Sequence, residues 1–461
     1  MAIVITQRPT QTISAETSYW NAVGNPIVYK LQRKDYVFNQ VNDNGGFAEV
    51  QINGVNVTTE FFSGDVITVV SDNGVYDAFG AVTSRAFSGG NTLVRTDIPY
   101  TAAAPGGYLN NESTKSNYRI QINILDPATS GAINEDPCEY QPTPKGYLLL
   151  DVSGMVRPFI SPDNNTALTP SAIVDDSTVY LNFVLGYTEI FTDSLETESV
   201  DTDTITAVFG ALQIPSLYGG NMALYASFID GTPASKLLTK FDTPVMWRGW
   251  PFSISAIVSE EVTDNTAFRA IATTAGTNNI GTPADYSGKV IDAVMTGSAY
   301  DNATDTSFTI ALRNTTASIN LSETKTIELT DPCANPVLLM ARNSLGGVLF
   351  WMFDFTQDYY YDYGNDVKAR RKVLFANHLT INRWDALQEF VTLGDVYRNN
   401  IEEFTSSTIK TSTRIGQQVY AVNQDGTKVG VVVIPTRNLT KTKFRKHSFE
   451  IEIEYPEEFT P

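Results

Sequence analysis

ARNSLGGVLFWMFDF, residues Ala341 to Phe355, is the most apolar and aromatic stretch of the chain. Gly346-Gly347 sits in its middle, and Phe350, Trp351, Phe353 and Phe355 crowd its second half. An apolar run, PVLLMAR, precedes it, and no helical pattern follows the glycines. A phosphate cradle needs backbone N–H groups at a helix start, so the glycines are not read that way. They read as a β-hairpin turn in which glycine supplies positive φ. Alternation puts Phe350 and Met352 on one face of the second strand, and Leu349, Trp351, Phe353 and Phe355 on the other. With both faces apolar, the strand is predicted to be covered on both sides, with Trp351 buried.

The same β pattern extends outward through most of the 461 residues. Short runs rich in Thr, Val, Tyr, Phe and Ile are punctuated by Gly, Asn, Asp and Pro clusters. Asn53-Gly54, Asn73-Gly74 and Ser63-Gly64-Asp65 are turn signals, because glycine and asparagine tolerate positive φ. YRIQINIL alternates Ile120, Ile122 and Ile124 with polar residues, as a half-buried strand does. The acidic segment SLETESVDTDT, residues 194–204, reads as an exposed loop or hinge. LTINRWDALQEFVTLGDVY carries a helical face of Trp384, Leu387, Phe390 and Val391, with Asn382 placed to cap and Gly394 to end it. QQVYAVNQDGTKVGVVVIP reads as a hairpin turning at Asp425-Gly426. SFEIEIEYP reads as a strand with an acidic outer face.

The expected fold class is therefore mainly β: tandem small β-barrel or β-sandwich (immunoglobulin-like) modules with a small α+β C-terminal domain. The expected organisation is an arm over 1–20, a small barrel or sandwich over 21–112, a sandwich over 113–243, an immunoglobulin-like sandwich over 244–378, and the α+β domain over 379–461. The arm's alternating AIVIT suggests that it adds a strand to a neighbour or lies across it.

Composition narrows the function. The formal net charge is −19, which argues against a nucleic-acid binder, since that needs a basic face. It argues equally against an electrostatic membrane-surface binder. No run of about 18 apolar residues appears, so no membrane insertion is expected, and a signal peptide is not expected either. Cys138 and Cys333 share the tripeptide Asp-Pro-Cys and read as buried thiols. The two histidines, His378 and His447, lack zinc-finger spacing. The nucleotide-binding glycine motifs and the GxSxG elbow are absent from the sequence. Neither a catalytic activity nor a cofactor is expected.

Three stretches are candidates for subunit or partner contacts. Tyr359, Tyr360, Tyr361 and Tyr363 stand among acids, and tyrosine buries large area at small entropic cost. Basic clusters contain Arg370 and Arg371 (with Lys368 and Lys372), and Lys443 and Arg445 (with Lys441 and Lys446). Solvated strand ends are one reading of these clusters. Charge pairing with the acidic face of another copy is the other.

GNPIVYKLQR (Gly24 to Arg33), YQPTPKGYLLLDVSGMVRPFI (Tyr140 to Ile160) and DPCANPVLLMARNSLGGVLFWMFDF (Asp331 to Phe355) resemble segments of structural proteins from tailed phages infecting Bacteroidetes, the crAss-like group included. Val348 stands where that group usually has tryptophan after Gly-Gly. The resemblance implies a β-sandwich-built part of the virion tail (ring, collar, hub or baseplate), assembled in the bacterial cytoplasm. Implied partners are copies of itself in a ring and other tail proteins. An adhesin for a host receptor or surface glycan is the alternative.

Overall fold

The computed structural model describes residues 3–9, 20–24, 26–143, 145–160, 168, 172–192, 194–196, 198–210, 236–239, 241, 243–258, 265–272, 276–295, 305–332, 336–343, 346–354, 376–377, 419–435, 439–441, 446–448 and 451–454. The fold is mainly β, as its alternating sequence predicts. The expected helix around Asn382–Gly394 lies outside the described residues.

The strands fall in two compact units, each assembled from separated stretches of chain. One comprises Met1–Pro9, Pro26–Val156 and Asn182–Ile205; the other comprises Thr10–Asn25, Arg157–Leu181 and Thr206–Pro461.

The first unit contains a barrel-like sheet. Its strand order is Tyr36–Phe38, Gly107–Asn111, Val66–Ser71, Asp77–Ser88, Asn91–Pro99, Phe47–Asn53 and Gln40–Asn44. The first and last of these are consecutive in the chain, and a bridge from Val41 to Ala104 helps to close the ring of strands. Phe38, Val50, Phe61, Ile67, Val69, Val94 and Leu109 fill the interior. Gly54, Gly64 and Gly74 all take positive φ, so the turns form where the sequence signals them. At Gly107 a side chain would collide with the Val70 carbonyl and the Phe38 ring, which is how two strands approach so closely there.

A three-stranded antiparallel sheet of Ile3–Gln7, Val28–Arg33 and Tyr147–Asp151 belongs to the same unit. Its buried face carries Ile3, Tyr29, Leu31, Leu148 and Leu150. Within the stretch expected to be an arm, Ile3–Gln7 forms a strand against Val28–Arg33. The physical reason is that Ile3 falls on the apolar face once Val4 pairs with Gln32. Arg119–Leu125 pairs with Cys138–Tyr140 and with Tyr180–Phe191, and Ile120, Ile122 and Ile124 are fully buried. Cys138 was expected to be buried. It is a half-buried free thiol, on a strand that pairs with Arg119–Leu125. Cys333 lies outside the described residues.

In the second unit three sheets contribute to one apolar core. One sheet orders Ala172–Asp175, Val290–Met295, Phe252–Ile257 and Lys236–Leu237. Another contains Val245–Trp247, parallel to Lys325–Thr330, followed by Ser307–Asn314, Thr266–Ala272 and Gly276–Ala284. The third holds the hairpin Pro336–Arg342 and Val348–Asp354, continued by Val419–Val422, Lys428–Pro435, Ile451–Glu454 and Ala376–Asn377. The hairpin thus pairs with strands drawn from the last fifty residues of the chain. Gly426 turns the neighbouring hairpin with positive φ, as the Asp-Gly pair predicts.

Val348 through Met352 are all buried. Trp351 meets Trp247 edge-on at 5.6 Å, and Phe350 lies against Phe252 at 5.9 Å. Asn343, Gly346 and Gly347, which flank the turn of this hairpin, are themselves buried. Asn343 Nδ2 donates to the Leu238 carbonyl, its Oδ1 accepts from Gly347 N–H, and Val348 N–H donates to Ser255 Oγ. Gly346 has positive φ, and any Cβ on it would strike the Phe209 carbonyl; one on Gly347 would strike that of Leu238. Two glycines are required here for close approach as well as for turn geometry.

Candidate functional site

Tyr359, Tyr360, Tyr361, Tyr363, Arg370, Arg371, Lys443 and Arg445 all lie outside the described residues. What the structure brings together instead is three clusters of buried charge.

The deepest belongs to the hairpin that opened the sequence reading. Arg342 ends an apolar strand and points inward, with only 4% of its surface exposed. Its guanidinium donates to both carboxylate oxygens of Asp292, at 2.9 and 3.3 Å, to Asp176, and to the Gly346 carbonyl at 3.3 Å. Asp292 sits in the apolar strand Val290–Met295, and Asp176 directly follows Ala172–Asp175. One cation therefore ties three strands together and also braces the glycine turn. Burial opposes the charge on Arg342, but Asp292 and Asp176 outweigh it and hold the guanidinium cationic. Burial also pushes the Asp292 carboxyl up, even with Arg342 beside it, because Asp176 repels it and water is excluded.

Lys428 stands close enough to feel this cluster and lies 5.4 Å from the Tyr420 ring centre. Burial, and then the charge of Arg342, lower its ammonium to about 8. The folded value is thus below the unfolded one. The contribution to stability is constant below about pH 8 and grows as pH rises from there toward the ordinary lysine range near ~10.4. Competitive acylation of the folded protein between pH 6 and 11 should show Lys428 with an inflection near 8. An inflection near the ordinary lysine value would refute this account.

The second cluster lies in the first unit. Arg33 grips Asp35 at 2.6 Å and Glu112 at 2.9 Å, and donates to the Asn111 carbonyl. Its guanidinium stacks 4.2 Å above the centre of the Tyr118 ring, a cation–π contact in a desolvated place. Tyr118 Oη donates to Glu189 at 2.6 Å, and burial followed by the Glu189 charge raises its pKa. Lys115 reaches Asp35 at 3.1 Å and lies over Phe191.

The third cluster joins Arg8 to Asp201 through a fork of contacts at 2.6 and 3.0 Å, with Asp203 at 3.0 Å. The Asp201 side chain is fully covered. The acidic segment 194–204 is thus not simply an exposed loop. Ser194–Leu195 and Ser199–Val200 pair with Tyr180–Phe191, and Arg8 supplies the cation that lets Asp201 go inside.

Sequence reasoning passed over these residues, although a signal existed. Arg342 closes PVLLMAR and Asp292 interrupts VIDAVM. A lone charge inside an apolar strand must find a partner or change its protonation. Among the described residues, no group of three or more His, Cys, Asp or Glu is placed to hold a metal ion. No described helix is long and apolar enough to cross a membrane.

No family model matches the chain. No curated protein matches it either. The three clusters, the exposed side chains and the sequence blocks are what a functional reading has to stand on.

Proposed function

We propose that this chain is a non-enzymatic structural protein of a tailed-phage virion, acting as a homo-oligomeric ring, collar or adaptor of the tail. The observation that carries the reading is how charge is used inside the fold. Each buried cluster cross-links segments far apart in sequence: Arg342 to residues 166 and 50 positions away, Arg33 to one 79 away, Arg8 to one 193 away. Such clamps tie together strands that are distant in the sequence, which suits a rigid building block. The three sequence blocks that resemble phage tail proteins point the same way. Mass measurement by light scattering, with negative-stain microscopy, should find a closed ring of copies. A stable monomer at micromolar concentration would overturn the assembly reading, and antibodies failing to label tails of virions that encode the chain would overturn the location.

One observation favours an adhesin as the second reading. In the barrel-like unit Phe62 and Phe87 are about half exposed, and Arg85 lies 4.6 Å above the Phe62 ring. Aromatic faces of this kind suit sugar or protein contact. Glycan binding by the parent chain that disappears in Phe62→Ser would move the assignment to this alternative.

A further inference from the structure

The strand Ile3–Gln7 is built into its unit in an unusual way. Among the described residues it has one strand neighbour, Val28–Arg33, and lies at the edge of its three-stranded sheet. Of its five side chains only Ile3 is buried, and Val4 is 44% exposed. Its firmest anchor is the residue that follows it, Arg8, whose guanidinium enters the Asp201–Asp203 pair. The receiving socket is made entirely by other parts of the unit: the edge of Val28–Arg33, the buried Tyr29 ring beneath, and the two carboxylates. It is a socket for an extended apolar strand that ends in a cation.

The socket has to be filled. Without Arg8, the fully covered Asp201 would lose its cation, which is costly for a buried carboxylate. Nothing in the geometry requires the strand to come from the same chain. Pro9 and Trp20 are separated by the ten residues 10–19. Ten residues of extended chain reach roughly 33–36 Å. Exchange of identical strands keeps every contact and adds a covalent tie between copies, which makes it a low-cost route to assembly. Charge favours it as well. Copies that each carry −19 repel, and an Arg8 delivered to an acidic socket is attraction placed at the interface itself.

We propose that in the assembled protein the segment Ile3–Arg8 is exchanged, each copy placing it on the Val28–Arg33 edge and Asp201–Asp203 pair of the next. This rests on the homo-oligomeric reading above and specifies its interface.

The register supplies the test. Gln7 pairs with Lys30 and Val4 with Gln32. Gln7→Cys with Lys30→Cys, both at exposed positions, is oxidised in the assembled protein and run on a denaturing gel without reductant. Val4→Cys with Gln32→Cys is the second pair, and the parent chain, with Cys138 and Cys333, is the control. Exchange predicts a ladder of covalent multimers, reversed by reductant and lacking in the parent. An oligomer whose engineered thiols are consumed while the gel shows single chains overturns the exchange and leaves the ring reading standing. A monomeric particle by light scattering overturns the ring reading instead. Failure of both pairs to form any disulfide in an oligomer overturns the strand register and the exchange with it.

Discussion

Arg342→Met should destabilise the second unit by about 3–5 kcal/mol, the usual cost of leaving buried carboxylates without their cation. Asp176 and Asp292 are both nearly inaccessible and both point at the guanidinium. Removing it leaves two like charges in an interior that burial already makes unfavourable for Asp292. The sign with pH follows directly. A carboxyl whose folded pKa is raised contributes stability that is present at low pH and lost as pH rises through the folded value. The gap between parent and variant should therefore shrink between pH 7 and pH 4, as the stranded Asp292 carboxyl takes up a proton. Adding Asp292→Asn to Arg342→Met should recover part of the loss at pH 7. Urea unfolding followed by tryptophan fluorescence reads this unit rather than the first, because none of the five tryptophans falls in the sequence segments of the first unit. A loss below about 1 kcal/mol at pH 7 would mean that Arg342 is not the clamp described here.

Trp351→Ala should cost a similar amount, about 3–5 kcal/mol, through lost burial and the cavity left behind. Trp351 is 3% exposed and stands on Val348–Asp354 opposite Leu339. Its ring meets Trp247 edge-on, so the substitution also removes an aromatic pair worth about 0.5–1.5 kcal/mol beyond area. Trp351→Phe keeps a ring in the space and should lose much less. In a chain whose other four tryptophans are replaced by phenylalanine, Trp351 emission should resist quenching by iodide. Ready quenching would place the ring at a surface and contradict the packing.

The hairpin was legible because its signals agree. Two glycines between apolar runs allow a turn, and five consecutive buried positions from Val348 to Met352 need cover on both faces. The turn's depth was not legible. Gly346 and Gly347 are pressed against the backbone of Phe209 and Leu238, residues more than a hundred positions earlier. Alternation describes one strand's two faces and carries no information about which distant strand lies against them. The same limit hid the partners of Arg342: an isolated charge in an apolar run signals that a counter-charge exists and does not locate it. Arg8 was missed for a related reason. A basic residue beside an alternating stretch looks like solvated chain until the acidic segment 194–204 folds back and pairs beside it.

Order of synthesis adds a consequence for the three-stranded sheet. Val28–Arg33 emerges from the ribosome early, while Tyr147–Asp151 comes over a hundred residues later and Asp201 later still. Arg8 precedes its carboxylate partner by 193 positions. At about 5–20 residues per second, that separation corresponds to an interval of roughly 10–40 s. Throughout it Arg8 lacks the ion pair with Asp201 that the folded chain contains. On a message carrying several ribosomes, neighbouring nascent chains present the same early strand and the same open edge at high local concentration. Under the proposed exchange, the late arrival of Asp201 would make the choice between pairing at home and pairing next door a kinetic one, open until the acidic segment closes over Arg8.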